Sequence, residues 1–343
     1  MNLPVPLKFK GAPGSPYTRK MLALLRYRRI PYELLIGDQA GESSLPNPKV
    51  NLLPTFYLPN DTGEIEAVVD STPLIRRFEA AFDGRSTIPP DPSMAFINYL
   101  LEDYGDEWLT KAMFHYRWYY KADIEMAGKI LPRWRNLNAS DESLMQMSQF
   151  VCDRQISRLH VVGSNEITAP VIEDSYRRFL KIMNAVIEKQ TFLMGSRPGS
   201  ADFAVYAQLT QLVKFDPTPT AICMKEAPRV YAWTDVVDDL SGLDVEDNGF
   251  LAGEAARSVL GELLAEIGRV YVPALLANAR AIMSGKDKME TVIDGRAWEQ
   301  PTFPYQGKCL QWIRDEYQTL SNEDRARVDT ILEGTGCEPL FEN

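Results

Sequence analysis

The sequence predicts a small mixed α/β domain followed by a larger all-helical domain. Residues 1–83 alternate between short strand-like runs and longer amphipathic runs, in the order β-α-β-loop-β-β-α. Residues 84–93, GRSTIPPDPS, form a proline-rich linker. Residues 94–343 are dominated by helical periodicity, and the part after about residue 245 is read as an extension of the helical domain.

The first half of the small domain reads as a strand, a helix and a strand. Residues 5–10 alternate apolar and polar side chains, as a half-buried strand does. Ser15 and Pro16 then open a helix that continues to about residue 29, since serine caps helices and proline suits their first turn. Pro31 stops this helix, and residues 32–36 form the second strand.

The second half of the small domain adds a hairpin and a helix. Residues 37–53 are polar and contain prolines, which predicts a long loop with at most one short helix. Residues 55–58 and 67–70 form two strands, joined by the turn sequence PNDTGE. A helix over residues 70–82 follows, with Asp, Ser and Thr at its start and an early proline.

The rest of the chain reads as helices. Residues 94–120 predict one long helix or two, and Ser140 begins another. Residues 172–190 place apolar side chains at helical spacing, and residues 251–285 are helical by the same criterion. Residues 298–332 start irregularly and end as a helix. We therefore expect no strand in the larger domain.

The composition narrows the class of function. The formal net charge is -10, so neither nucleic acid nor an anionic membrane is an expected partner. No apolar run approaches the length of a membrane span, and the first residues lack the pattern of a secretory signal. Four widely spaced cysteines are expected to stay reduced, which favours a cytoplasmic location. With two histidines and no HExxH motif, we expect no metal site.

Three stretches of the sequence resemble the glutathione transferase family. Residues 12–25, APGSPYTRKMLALL, are similar to the first turn and helix of its Ser-type classes. Residues 47–58, NPKVNLLPTFYL, and 70–79, DSTPLIRRFE, resemble the glutathione-binding half of the first domain. Residues 175–212 resemble the core of the helical domain, including a Gly and an Ala-Asp pair before a buried helix.

The resemblance covers roughly residues 5–240 and carries several expectations. It implies a thioredoxin-like N-terminal domain followed by a larger all-α C-terminal domain, with glutathione as a co-substrate and without a metal. It also implies a homodimer. The helical domain of this family is usually shorter, so the extension after about residue 245 is atypical. That extension could cover the active site, bury a hydrophobic pocket or build a dimer contact.

Ser15 and Tyr17 are the candidate catalytic residues. The residues alone favour a helix cap for Ser15 and packing over the sheet for Tyr17. A thiolate at a helix N-terminus is stabilised by free N–H groups and by the helix dipole, which lowers the pKa of a thiol. The resemblance therefore implies that the Ser15 hydroxyl donates to the glutathione thiolate, with Tyr17 as a second candidate donor.

The resemblance assigns glutathione binding to five further residues. Leu53 would pair through its main chain with the cysteinyl part, next to Pro54, which is cis in this family. Asp70 would hold the γ-glutamyl ammonium, and Ser71 would bind the γ-glutamyl carboxylate at a helix start. Lys49 would pair with the glycyl carboxylate, although a solvated lysine and plain helix caps at Asp70 and Ser71 are equally simple readings.

A second-substrate pocket and a folding signal complete the predicted features. The candidates for the pocket wall are Tyr104, Trp108, Met113 and Tyr116, whose helical spacing is equally typical of core residues. Residues 199–202 match the family's capping box, with Gly199 at the N-cap and Asp202 at N3. The missing cap hydroxyl could come from Ser200.

Three functions compete at this stage. The first is a glutathione transferase that conjugates or exchanges the glutathione thiolate with a small hydrophobic electrophile, as in detoxification. The second is a non-catalytic binding or interaction module built on the same fold. The third is a thiol reductase that uses one of the cysteines. Serine at position 15 argues against a glutaredoxin-like reductase, because serine cannot take part in thiol–disulfide exchange.

Overall fold

The first domain combines a four-stranded sheet with two helices, in the predicted order. The structure is a computed structural model that describes residues 3–36 and 45–342. The sheet has the strand order β2-β1-β3-β4, in which β1 and β2 are parallel and the other pairs are antiparallel. The elements of this domain are β1 Leu7–Lys10, α1 Pro16–Arg28, β2 Tyr32–Leu35, β3 Thr55–Pro59, β4 Ile65–Val68 and α2 Ser71–Ala81.

The fourth strand starts and ends two residues earlier than predicted. Its pairing with β3 ends at Val68, opposite Phe56. Two residues later the backbone of Asp70 has a φ of 83°, which turns the chain out of the sheet and into α2. Part of the predicted 37–53 loop, residues 37–44, lies outside the described residues.

The second domain begins with eight α-helices, α3 to α10. The predicted 94–120 segment is two helices, because the chain bends at Trp108 between α3 and α4. Helix α8 packs against α1 of the first domain and against α3. The helices are α3 Pro92–Glu107, α4 Leu109–Tyr119, α5 Lys121–Arg135, α6 Asp141–Ile156, α7 Ala169–Ile187, α8 Ser200–Leu212, α9 Pro217–Glu226 and α10 Pro228–Val237.

The extension is not helical throughout, which corrects the all-helical prediction. It holds a two-stranded antiparallel hairpin whose turn, Asp294-Gly295, has positive φ angles of 51° and 72°. An Asp-Gly pair suits such a turn, so the sequence carried a hairpin signal that was missed. The elements are α11 Gly253–Glu266, a π-helical turn Ile267–Tyr271, α12 Val272–Met283, β5 Lys288–Ile293, β6 Arg296–Pro301, α13 Pro304–Thr319 and α14 Asn322–Leu332.

The extension shares one hydrophobic core with the rest of the molecule. The ring of Trp298, from the hairpin, lies 5.6 Å from that of Trp108. Phe96 on α3 contacts the rings of Tyr317 and Phe341, both at 5.7 Å. The residues after about 245 therefore cover α3 and the start of α4 rather than forming a separate unit.

The predicted capping box at the start of α8 is present in a modified form. Asp202 Oδ2 accepts a hydrogen bond from the Gly199 N–H at 2.9 Å. The Ser200 hydroxyl does not supply the cap, because it donates to Glu102. Instead Asn98 on α3 caps the helix from outside, since its Oδ1 accepts from the Ala201 N–H at 3.1 Å. A β-carbon at position 199 would lie 2.3 Å from that same Oδ1.

We predict that Gly199→Ala destabilises the fold by about 1–3 kcal/mol, because its methyl group would collide with Asn98. Gly261→Ala is the matched control, since outside the local backbone of α11 no atom lies within 4 Å of a β-carbon built there. The control should gain roughly 0.5–1 kcal/mol from helix propensity. Chemical denaturation of both variants checks the signs, and a shared sign would contradict the packing argument.

Candidate active site

Ser15 lies at the N-terminus of α1 and faces the loop that precedes β3. Its Oγ accepts a hydrogen bond from the Thr18 N–H at 3.2 Å, which is the predicted N-cap. The same hydroxyl donates to the carbonyl oxygen of Leu53 at 3.3 Å. The Leu53–Pro54 peptide bond is cis, as expected. The half-buried hydroxyl thus sits between a helix N-terminus and the cis-proline loop.

The second domain holds the loop that carries Ser15. Arg117 on α4 donates through Nη1 to the Gly14 carbonyl at 3.1 Å, and its Nε donates to Asp216 at 2.9 Å. A β-carbon at Gly14 would lie 2.5 Å from Leu131 Cδ2 and 3.0 Å from Trp134 Cζ3. Two half-buried apolar side chains of α5 therefore approach the chain beside Ser15, which the sequence did not reveal.

The hydroxyl of Tyr17, on a helix of the first domain, forms hydrogen bonds with the second domain. It donates to the Asp106 carbonyl at 2.8 Å and lies 2.9 Å from Thr110 Oγ1. Burial and the nearby Glu107 and Asp106 carboxyls raise the pKa of Tyr17 well above its ordinary value. Tyr17 thus remains protonated, but to serve a bound thiolate it would have to leave these partners.

Asp70 and Ser71 stand together at the start of α2, and each has a partner from another part of the chain. Asp70 Oδ2 accepts a hydrogen bond from the Tyr305 hydroxyl at 2.8 Å. The buried Ser71 Oγ accepts from Lys20 Nζ at 3.2 Å. The γ-glutamyl end that the resemblance assigns to these residues would therefore meet groups that are already held in place.

Lys20 is the centre of a buried ionic cluster that the sequence analysis missed. Its Nζ lies 2.8 Å from Glu102 Oε1 and 2.6 Å from Asp106 Oδ2. Burial opposes ionisation of Glu102, but Arg76 and Lys20 lower its pKa to about 2. Burial raises the pKa of Asp106 to about 6, although Lys20 acts in the opposite direction. The cluster joins α1, the start of α2 and α3.

Two further carboxyl groups lie near this cluster, and the extension supplies each of them with an uncharged hydrogen-bond donor. Tyr271 donates its hydroxyl to Asp103 Oδ2, and Gln306 Nε2 donates to Glu107 Oε2 at 3.2 Å. Burial raises the pKa of Asp103 to about 7. Burial, together with the neighbouring Asp103 and Asp106, raises the pKa of Glu107 to about 8.

The predicted wall of a second-substrate pocket is corrected by the structure. Tyr104, Trp108, Met113 and Tyr116 are all buried members of the hydrophobic core. Their surroundings are core-like because α7 and the extension cover α3 and α4: for example, the Trp108 Nε1 donates to a buried serine of α7 at 2.9 Å. These side chains are positioned as core residues rather than as an open wall.

The glutathione-binding roles of Leu53 and Lys49 remain predictions. Within the described part of the chain, the Leu53 N–H has no hydrogen-bond partner, so it is free to bind a ligand main chain. Lys49 is exposed, in a bend that follows the undescribed residues 37–44.

The cysteines do not form a reactive thiol site. Cys223, Cys309 and Cys337 are buried, and Cys152 is half-buried. Burial raises the pKa of Cys223 to about 11 and that of Cys337 to about 12, and it also raises the pKa of Cys309 and Cys152. Since the thiolate is the reactive form, these shifts argue against a thiol reductase.

Two family models match the chain in the order in which the two domains occur. The model described as "Glutathione S-transferase, N-terminal domain" matches residues 10–86, and "Glutathione S-transferase, C-terminal domain" matches residues 156–237. The chain belongs to the glutathione S-transferase family. No curated protein sequence matches the chain. The extension with Tyr271, Tyr305 and Gln306 lies beyond both matched regions.

Solved glutathione transferases are similar to the chain over about two thirds of its length. A Burkholderia graminis enzyme with two bound glutathione molecules per subunit is 15% identical, with a TM-score of 0.42, covering 67% of this chain and 82% of its own. A Methylobacterium radiotolerans enzyme in complex with glutathione sulfonate is 16% identical, with a TM-score of 0.39, covering 68% and 90%. The Tau class enzyme of mango, Mangifera indica, is 20% identical, with a TM-score of 0.36, covering 67% and 87%.

The described residues contain neither a candidate metal-binding cluster nor a helix suited to spanning a membrane. Across residues 3–36 and 45–342, histidine, cysteine and acidic side chains form no group of three or more that could hold a metal ion. Over the same ranges, none of the helices has the length and apolar character needed to cross a membrane.

We predict that Glu107→Gln makes the fold more stable than the natural chain at alkaline pH and leaves it unchanged near pH 5. The unfolded chain loses the Glu107 proton near the ordinary pKa of 4.5, whereas the folded chain keeps it up to about pH 8. The folded state therefore binds more protons in this interval, so the contribution of Glu107 to stability falls as the pH rises through it.

Thermal unfolding midpoints measured from about pH 5 to about pH 8.5 check this prediction. Glu64→Gln, in the exposed turn between β3 and β4, is the control and should follow the natural chain at every pH. A constant offset of Glu107→Gln across the pH range would contradict the raised pKa of Glu107.

Proposed function

We propose that the protein is a glutathione transferase in which Ser15 stabilises the glutathione thiolate. The observation that carries this proposal is the position of the Ser15 hydroxyl at the N-terminus of α1, 3.3 Å from the carbonyl of Leu53. A sulfur atom there would accept a hydrogen bond from the Ser15 hydroxyl and would lie in the positive field of the helix N-terminus. Both effects favour the thiolate over the thiol.

The other predicted glutathione contacts suit the chemistry of the tripeptide. The N–H and hydroxyl of Ser71 would bind the γ-glutamyl carboxylate at the N-terminus of α2. Asp70 would pair with the γ-glutamyl ammonium, and the N–H of Leu53, which has no partner among the described residues, would bind the cysteinyl carbonyl. Lys49 would pair with the glycyl carboxylate.

The chemical step needs no group beyond the two substrates. The thiol proton passes to water, the thiolate sulfur attacks the electrophilic carbon, and a carbon–sulfur bond forms while the leaving group departs with its electron pair. The protein contributes thiolate stabilisation and the proximity of the two reactants. Leu131 and Trp134, which approach Gly14 beside Ser15, support an apolar electrophile. A cytoplasmic homodimer that acts in detoxification is the accompanying proposal from the family resemblance.

We predict that Ser15→Ala lowers kcat/KM by about 10²–10³-fold, the usual effect of removing one donor to a developing or held anion. Glutathione affinity at low pH should change little, because the thiol rather than the thiolate is then bound. The pH dependence of thiolate absorbance should show a higher pKa of the glutathione thiol when it is bound to Ser15→Ala than when it is bound to the natural chain.

Ser140→Ala, which removes the N-cap of α6, is the matched control for this prediction. Both substitutions cost helix-cap stability of about 1 kcal/mol, but only the first removes a group at the proposed site. Equal turnover by the natural chain and Ser15→Ala would instead favour the non-catalytic binding module.

We predict that Ser71→Ala weakens the binding of both glutathione and S-hexylglutathione about tenfold, because it removes a hydrogen bond to a charged carboxylate. Isothermal titration measures this effect. Ser321→Ala, at the start of α14, is the control and should bind as the natural chain does. Absence of saturable binding to the natural chain at millimolar glutathione would overturn the transferase proposal.

A further inference from the structure

We propose that Tyr305, from the extension, is a positioning residue of the glutathione site: its hydroxyl orients the Asp70 carboxylate toward the γ-glutamyl ammonium. The inference rests on the proposed function and concerns how the site recognises one end of glutathione. Both family matches end before Tyr305, so this contact is a feature of the extension.

Asp70 has an unusual conformation that its own helix does not explain. Its φ of 83° is rare for a residue with a side chain, and such residues often serve binding or catalysis. Aspartate at an N-cap normally accepts from the first turn of its helix, but among the described residues Asp70 makes no such bond. Its Oδ2 instead accepts from Tyr305, 235 positions away.

Tyr305 is fixed before any ligand arrives. The neighbouring Phe303 exchanges two hydrogen bonds with the buried Asn278 of α12: its N–H donates at 2.8 Å and its carbonyl accepts at 2.9 Å. On the other side, Gln306 donates to Glu107. The Tyr305 ring stands edge-on to Trp312 at 5.9 Å. The hydroxyl is therefore held at Asp70 by contacts on both flanks.

The contact leaves Asp70 able to bind a cation. A carboxylate has two oxygens and about four acceptor positions, and Tyr305 uses one of them on Oδ2. In the part of the chain that the structure describes, Oδ1 of Asp70 has no hydrogen-bond partner, and no lysine or arginine pairs with this carboxylate. Burial and the Asp70 carboxylate raise the pKa of Tyr305, so its hydroxyl remains a neutral donor that does not replace the ligand's charge.

The test compares glutathione with an analogue that lacks only the γ-glutamyl amino group, glutaryl-cysteinylglycine. For Tyr305→Phe we expect glutathione to bind about tenfold more weakly, while the affinity for the analogue stays unchanged. In turnover, KM for glutathione should rise and kcat should hold, because the thiolate is not touched. Asp70→Asn should produce the same loss, and adding Tyr305→Phe to it should cause no further loss.

Tyr317→Phe is the matched control, because its hydroxyl also donates to a carboxylate of the extension, Asp329, at 2.7 Å. It should bind both ligands as the natural chain does. Equal losses for glutathione and the analogue in Tyr305→Phe would mark a merely structural role, and tighter binding would show that Tyr305 competes with the ammonium; either result overturns the inference. If Tyr305→Phe unfolds, an unchanged preference for glutathione over the analogue in Asp70→Asn overturns it.

The same titrations separate this inference from the proposed function. If the natural chain does not bind glutathione, the proposed function fails and the inference fails with it. If the natural chain binds glutathione and Tyr305→Phe binds it equally well, only the inference fails.

Discussion

The arrangement of the site depends on the buried ion pairs that the ammonium of Lys20 forms. Two carboxylates of α3, Glu102 and Asp106, hold it together with the hydroxyl of Ser71. Burial alone would lower the pKa of Lys20, but these carboxylates raise it, so the charge persists inside the protein. Removing one member of such a buried cluster typically costs about 3–5 kcal/mol, because the remaining charges lose their compensation. Since Lys20 is on the helix that Ser15 caps, this cluster fixes the starts of α1 and α2 relative to each other and to the second domain.

The extension changes the electrostatics of the same region by covering it. Tyr271 and Cys309 of the extension lie against Asp103, and Gln306 lies against Glu107, which removes water from both carboxyls. Because the partners that the extension supplies are neutral, these carboxyls have raised pKa values rather than ion pairs. Next to these carboxyls, the Asp70 carboxylate accepts from the neutral Tyr305 hydroxyl and keeps its negative charge for the ammonium of a γ-glutamyl group.

Local rules predicted the parts of the site that lie on one segment of chain. The helix starts at Ser15 and at Asp70-Ser71 follow from capping chemistry within a few residues, whereas their roles in the site and the cis bond before Pro54 came from the family resemblance. The long-range partners could not be predicted in this way, because nothing in the sequence around Lys20 or Tyr305 specifies Glu102 or Asp70. The sequence left the aromatic residues of α3 and α4 open between a pocket wall and the core for the same reason: helical spacing shows which side chains share a face, but not that the extension and α7 bury those faces. The hairpin after α12 was within reach of local rules, since its Asp-Gly turn was visible.

Ser15 at the start of α1 and Asp70 at the start of α2 could each cap a helix or bind the ligand, and the two residues differ in how they combine these roles. The Ser15 hydroxyl has one proton and two lone pairs, so it accepts from the Thr18 N–H and still has a proton to donate. In the structure that proton goes to Leu53 over a long 3.3 Å contact, which a thiolate could replace without disturbing the cap. At α2 the carboxylate of Asp70 is turned away from its own helix by a positive φ, and Tyr305 occupies one of its oxygens instead. A capping residue and a ligand-binding residue are therefore compatible at Ser15, whereas at Asp70 the capping role has been given up for a contact with the extension.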